Sequence, residues 1–271
     1  MNTVTAESHA EMPPKFYKYR SVGGASMSRV KEVILEDKIF FAPASSFNDP
    51  FDLCPVFSLT ATPARQKEDY LRLSRKLEPH LTESQREAEA TRVMSVSMSN
   101  DNLTTTTAAI QVIHNFHIKA SVGVFCLSTK RDDILMWSHY ADSHRGICLE
   151  FDGMQALMAH AQKVEYSQDR VPINLYNDAN DVAMSKALLT KSSHWAYEAE
   201  WRLIRYDKGP GTAPFRAHNL TGVIIGAMAT TNTVETVKIW AKQRATPLNL
   251  YRASISSTRF ELQISQFLIN K

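Results

Sequence analysis

The stretch from Val122 to Asp152, VGVFCLSTKRDDILMWSHYADSHRGICLEFD, decides the fold. It opens on VGVFCLS, 122–128, a continuous apolar run of strand length, which reads as a strand buried on both faces. It closes on GICLEFD, a second run of the same kind. Between them DDILMWSHYAD, 132–142, has acidic residues at its start, where the helix dipole favours them, and His144-Arg145-Gly146 behind it as a stop. The segment therefore reads as strand, short helix, strand.

Working outward, FYKYRS at 16–21 alternates and predicts a strand, with Tyr17, Tyr19 and Ser21 on one face and Lys18 and Arg20 on the other. Ser26 caps a helix over 27–36, and KIFFAPA, 38–44, is a second strand stopped by Pro43. SSFNDPFD follows as a tight turn built on Asn48, Asp49 and Pro50. Residues 62–119 are polar, helical in pattern and nearly free of glycine. They read as a three-helix insertion without a core of its own. KVEY, 163–166, is a short strand. A helix is expected over 179–194, a strand over EAEWRLIRY at 198–206, and a loop over DKGPGTAP. LTGVIIGA is a strand, TNTVETVKIWAKQR a helix, and NLYRASIS and FELQIS are terminal strands. Strands at both ends around the helices give an α+β fold with a split, mostly antiparallel sheet. The organisation expected is a polar tail over 1–15 and one domain over 16–271.

The 271 residues are 44% hydrophobic and 22% charged, which suits a folded globular chain rather than a disordered one. No apolar run reaches membrane-spanning length, and MNTVTAESHAEMPPK has no basic segment followed by an apolar one. A net charge of +3 permits an anionic ligand or nucleic acid without demanding either. Cys54, Cys126 and Cys148, an odd number without a C-x-x-C pair, fit reduced thiols in a cytoplasmic protein and argue against a cysteine zinc site. Phosphate-loop, GxGxxG and GxSxG signatures are absent.

Several residues are candidates for chemistry. On a strand, Glu198 and Glu200 project from one face and repel each other unless a cation or ligand separates them; the plain alternative pairs Glu200 with Arg202. Arg20 can hold a phosphate through its planar fork, or lie in water on an edge strand. Trp137 and Tyr140 are packing or a wall for an aromatic ligand. His139 has no His or Cys four residues away, so no metal site is expected. Asn48 and Asp49 close a turn or reach into the cleft of the sheet.

Together KYRS, SSFNDPFD, FCLS, MWSHYADSHRGICLEFD, YEAEWR and LTGVIIGA resemble, in this order over roughly 16–228, a bacterial family of domains of unknown function. The order Arg20 (or Tyr19), Ser128-Thr129, Glu198-Ala199-Glu200 also resembles the ADP-ribosyltransferase superfamily. That resemblance implies NAD as substrate and cleavage at the nicotinamide–ribose bond. Glu200 would serve the sugar and Glu198 the acceptor. Tyr19, Arg20, Asn48, Asp49, Ser128, Trp137 and Tyr140 would hold the dinucleotide. It implies a macromolecular acceptor, protein or nucleic acid, and the setting of a toxin or phage-defence effector with an antitoxin or regulatory partner. Two other readings stay open: a non-catalytic interaction module using 62–119, and a metal-dependent nucleic-acid-processing enzyme.

Overall fold

The computed structural model describes residues 12–24, 26–97, 100–206 and 208–267. They form an α+β fold in two compact units. The first unit takes the described residues of 1–46, 121–166 and 193–271, and the second takes those of 47–120 and 167–192.

The first unit is a ten-stranded sheet with helices on its faces. Its strands are β1 (Lys15–Arg20), β2 (Lys38–Pro43), β3 (Gly123–Ser128), β4 (Ile147–Asp152), β5 (Gln162–Lys163), β6 (Glu200–Arg205), β7 (Gly211–Pro214), β8 (Leu220–Ile225), β9 (Asn249–Ile255) and β10 (Leu262–Gln266). The main path runs β7-β2-β3-β1-β4-β8-β9-β10, and β6 joins β3 and β5. The strand pairs of this sheet are antiparallel except β8 with β9, which are joined through helix α3 (Thr231–Gln243). A parallel pair needs such a crossover, because the chain must return to the end of the sheet where the first strand began.

The pairing at β3 fixes which side chains stand next to one another at the centre of the sheet. Along one edge β3 pairs with β6 over its whole length, from Glu200↔Ser128 to Arg205↔Gly123. The other edge is shared. Ala42 and Pro43 of β2 meet Val124 and Gly123, while Tyr17 of β1 meets Ser128. Among the described residues none pairs with Phe125, Cys126 or Leu127 on that edge.

Strand alternation gives the sheet two unlike faces. One holds Phe16, Phe41, Phe125, Leu127, Ile147, Leu149, Phe151, Trp201 and Leu203 in a single apolar core. Helix α1 (Ser26–Glu36) closes it with Val30, Val33 and Ile34, and α3 with Val237 and Trp240. The opposite face carries Tyr17, Tyr19 and Cys148 under helix α2 (Ile134–Tyr140), whose Met136 and Trp137 are buried. Gly146 lies where a Cβ would run into the carbonyl of Arg20, so only glycine fits between α2 and β4.

In the second unit, helices Pro63–Leu77, Glu83–Ser97, Asn100–Ser121 and Asn180–Leu189 accompany a parallel pair, Val56–Ser58 with Pro172–Asn174. The first helix starts with Pro63 at its first turn and a Thr62 side chain that accepts from the Arg65 amide. Buried Arg86 donates to Ser74 Oγ at 3.1 Å and to the Leu81 carbonyl at 2.7 Å. Lys191 and Asp52, both buried, lie 3.5 Å apart. The helical block expected at 62–119 lies within this unit, which extends beyond it on both sides.

Three local expectations need correction. The helix over 179–194 ends at Leu189; Thr190–Ser192 is extended and Ser193–Glu198 is a 3-10 turn. The loop DKGPGTAP contains β7, which finds its partner on the edge of β2. Glu198 is not on the strand: it ends the 3-10 turn, and β6 begins at Glu200. No helix among the described residues is long and apolar enough to cross a membrane.

Candidate functional site

The α2-covered face of the first unit is built from strand register. Tyr17 lies opposite Glu150 on one side and Ser128 on the other, and Ser128 lies opposite Glu200. Directly opposed residues share a face. Glu150, Tyr17, Ser128 and Glu200 therefore form one row across β4, β1, β3 and β6, and all four are buried. Buried polar groups are costly unless hydrogen-bonded, and each of these has partners. Tyr17 Oη donates to Glu150 Oε2 at 3.5 Å, and Thr221 Oγ1 donates to Glu150 Oε1 at 2.7 Å. Lys15 Nζ stands 3.4 Å from the same carboxylate. Burial and the Glu150 charge push the Tyr17 phenol up to about 12, so it stays a donor.

At the other end of the row, Arg202 grips Glu200 with Nε at 2.8 Å from Oε1 and Nη2 at 3.0 Å from Oε2. Both side chains are out of solvent, at 0% and 3% exposure, so this two-pronged contact neutralises a carboxylate that water does not reach. Cys126, half-buried beside them, has its thiol pushed up to about 12 by burial and by Glu200. All three cysteines are free thiols; Cys148 is buried, whereas Cys126 is less enclosed than its apolar strand suggests.

Glu198 reaches the same region by a different route. Ala199 between the two glutamates is left-handed, with φ 44°, so the chain turns there rather than extending. Ser128 Oγ donates to the Glu198 carbonyl at 2.6 Å, which anchors the turn to the row. Tyr140 Oη donates to Glu198 Oε1 at 2.5 Å, and the neighbouring His139 Nδ1 is 2.9 Å from Tyr197 Oη. Two consecutive residues of α2 thus hold two consecutive residues of the turn. Around them His139, Trp195 and Tyr197 pack edge-on or tilted, with centroids 6.0–6.4 Å apart. Helix α2 itself is ended by three consecutive left-handed residues, Asp142, Ser143 and His144. Left-handed conformations cost roughly 1–2 kcal/mol each outside glycine, and here the His144 amide returns to the Trp137 carbonyl at 3.1 Å.

The first unit thus brings Tyr19, Ser128, Tyr140, Glu198 and Glu200 to one face. Trp137 is there too, but fully buried. It stands edge-on to Tyr19 at 5.2 Å and donates from Nε1 to the Arg131 carbonyl at 2.9 Å, so no ring face is left for a ligand. Tyr19 Oη donates to the Lys130 carbonyl at 2.8 Å. Arg20 lies by alternation on the opposite face with Lys18, beside the open edge of β3. Lys18 Nζ stands 5.0 Å over the Phe125 ring, and burial together with Arg20 brings its pKa down to about 8. Asn48 and Asp49 belong to the second unit, where the Asp49 carboxylate accepts the Phe51 amide at 2.9 Å and closes the turn. Among the described residues no three His, Cys, Asp or Glu side chains are grouped to hold a metal ion.

Sequence reading missed Tyr17, Glu150 and Lys18 as site residues. Glu150 did leave a signal, a charge inside the apolar run GICLEFD. The choice of Tyr17 over Tyr19 rests on pairing register, which no local pattern encodes.

Residues 136–203 match the model of a family described as "Protein of unknown function (DUF2971)". That span begins in α2 and ends within β6, so it contains Tyr140, Glu150, Glu198 and Glu200 but not β1 or Ser128. The chain has no match among curated proteins or among solved structures.

Proposed function

We propose that the first unit is an ADP-ribosyltransferase-like domain that acts on NAD and modifies a macromolecule, protein or nucleic acid. The observation that carries this reading is the alignment of Tyr17, Ser128 and Glu200 side by side on three adjacent strands. Tyr17, a neighbour on β1 of the Arg20 or Tyr19 that the resemblance names, joins the middle element Ser128 and Glu200 of E-x-E in one row of hydroxyl and carboxylate oxygens. As acceptors these oxygens suit ribose hydroxyls. Arg20, which the resemblance assigns to the dinucleotide, stands with Lys18 on the opposite face of the sheet and has no part in this row.

NAD would supply a scissile nicotinamide–ribose bond whose cleavage leaves positive charge on the sugar. Glu200, held in place by the Arg202 fork, accepts from a ribose hydroxyl and stabilises that charge as glycosidase carboxylates do. Ser128 and Tyr17 orient the same group. Glu198, fixed by Tyr140, faces the acceptor. Trp137 is the scaffold under the row rather than a stacking wall, a change from the role the sequence resemblance implied for it. The test is nicotinamide release from NAD by the purified protein, alone and with cell extract. Release above a protein-free control supports the reading, and its absence under both conditions removes it.

A second reading is favoured by one observation. On the helix Asn100–Ser121, Val112, Ile113 and Phe116 are exposed large apolar side chains, which suits a surface that meets a partner. On that reading the Arg202–Glu200 pair is a buried structural bridge, and NAD gives no thermal protection.

A further inference from the structure

The first unit also holds a concavity away from the polar row. A cavity of about 560 Å³ lies between α2 and the β9–β10 hairpin. Its size falls in the usual range for small-molecule sites, roughly 300–1,000 Å³. Ile134, Leu135, Met228, Ile255 and Phe260 line it, and each is an exposed large apolar side chain. Apolar surface gathered in this way around a concavity marks a binding site more often than a bare surface.

Polar groups line the cavity on both sides: Ser256, Thr258, Arg259 and Glu261 on the hairpin side, and on the α2 side the pair Ser138 and His144, with Ser138 Oγ 3.0 Å from His144 Nε2. Their roles follow from the shorter of the two contacts that Ser138 makes. Ser138 has one hydroxyl hydrogen, and it donates to the Ile134 carbonyl at 2.8 Å. With that hydrogen in the shorter contact, Ser138 Oγ accepts from the imidazole and His144 Nε2 carries the hydrogen. Burial lowers the pKa of His144, so the ring is neutral at pH 7. In a neutral ring protonated on Nε2, Nδ1 is a bare acceptor. The ring is held by stacking on Trp137 at 6.4 Å, 12° from parallel.

We propose that this cavity binds a neutral, apolar small molecule bearing one hydroxyl group, of the phenol or medium-chain alcohol class. Its body packs against Ile134, Leu135, Met228 and Ile255, and its hydroxyl donates to His144 Nδ1. The two charges on the hairpin side, Arg259 and Glu261, lie 3.8 Å apart and offset each other, so a charged ligand gains little there. This inference is independent of the reading of the polar row: the two sites share only α2.

Titration of the full-length protein with 4-propylphenol, followed by amide NMR shifts or calorimetry, tests it. The expected result is saturable binding, weaker by about 10-fold for 4-propylanisole, which keeps the shape and lacks the hydrogen-bond donor. Ile255→Glu, at an exposed position and with folding checked by thermal melting, should lose binding by at least about 10-fold. His144→Phe should erase the preference for the phenol over its methyl ether. Absence of saturable binding to the wild-type protein, equal affinity for phenol and ether, or undiminished binding by Ile255→Glu would each overturn the proposal.

Discussion

The two faces of the ten-stranded sheet share every strand and differ in what they bury. The face under α1 and α3 is a continuous apolar core, with Phe16, Phe151, Ile147, Val223 and Leu250 essentially out of solvent. The face under α2 buries Glu150, Glu200 and Arg202 just as completely. Apolar burial stabilises by roughly 25 cal/mol per Å² wherever it occurs. Buried ion pairs seldom repay their desolvation. One face is therefore sufficient to explain why the sheet forms, and the other face contains groups that stability alone does not call for. Lys18 and Arg20 are the exception that joins them, two cations on the apolar side at the open edge of β3.

The strongest way to break the contrast is Arg202→Ala. It leaves the Glu200 carboxylate buried without its counter-charge, so about 3–5 kcal/mol of stability should be lost in urea unfolding, and NAD turnover with it. Adding Glu200→Gln to the same chain should recover part of that loss. Phe151→Ala on the other face should cost a comparable amount, about 3–5 kcal/mol, by leaving a cavity. Nicotinamide release per folded molecule should stay unchanged, which makes it the control for the first variant. Ser128→Ala is smaller. Its hydroxyl donates to the Glu198 carbonyl and accepts the Lys130 amide at 3.0 Å, so about 1–2 kcal/mol is expected, with turnover falling more than stability.

Lys18→Met sharpens the comparison by removing the exception. Its pKa falls from 10.5 unfolded to about 8 folded. The unfolded chain then binds more protons between these values, so wild-type stability rises with pH across that window. Below about pH 8 the folded protein bears the full cost of the buried cation. Lys18→Met should therefore be the more stable protein at pH 7, by on the order of 1 kcal/mol. The gain should shrink as pH rises from about 8 to 10.5. Chemical denaturation at pH 7 and pH 10 checks both size and sign. A gain independent of pH would mean that packing, not charge, was relieved.

Much of this architecture was legible in the sequence. The run 122–128, the helix in MWSHYAD and the run in GICLEFD are single-pattern signals, and each forms the expected element. Alternation also assigned Tyr17 and Tyr19 to the face opposite Lys18 and Arg20. Other features depend on contacts distant in sequence. β7 is glycine- and proline-rich and becomes a strand only because the edge of β2 accepts it. Spacing alone extended the strand back to Glu198, whereas the left-handed Ala199 and the bond from Ser128 turn the chain there. The helix expected over 179–194 stops at Leu189 because the chain becomes extended over Thr190–Ser192, a change that no local pattern marks. Trp137 carried the right signal for burial and the wrong one for exposure, since an aromatic on a short helix fits either role.

Glu200→Gln tests most directly whether the polar row acts on NAD. The substitution keeps size and one hydrogen bond to Arg202 and removes the charge. Melting should fall, because Arg202 loses its buried counter-charge, while the protein that remains folded should still bind NAD and its nicotinamide release per folded molecule should fall by about 10²–10³, the usual effect of deleting a group that matters in the transition state. Full turnover by a well-folded Glu200→Gln protein would contradict a catalytic role for the row.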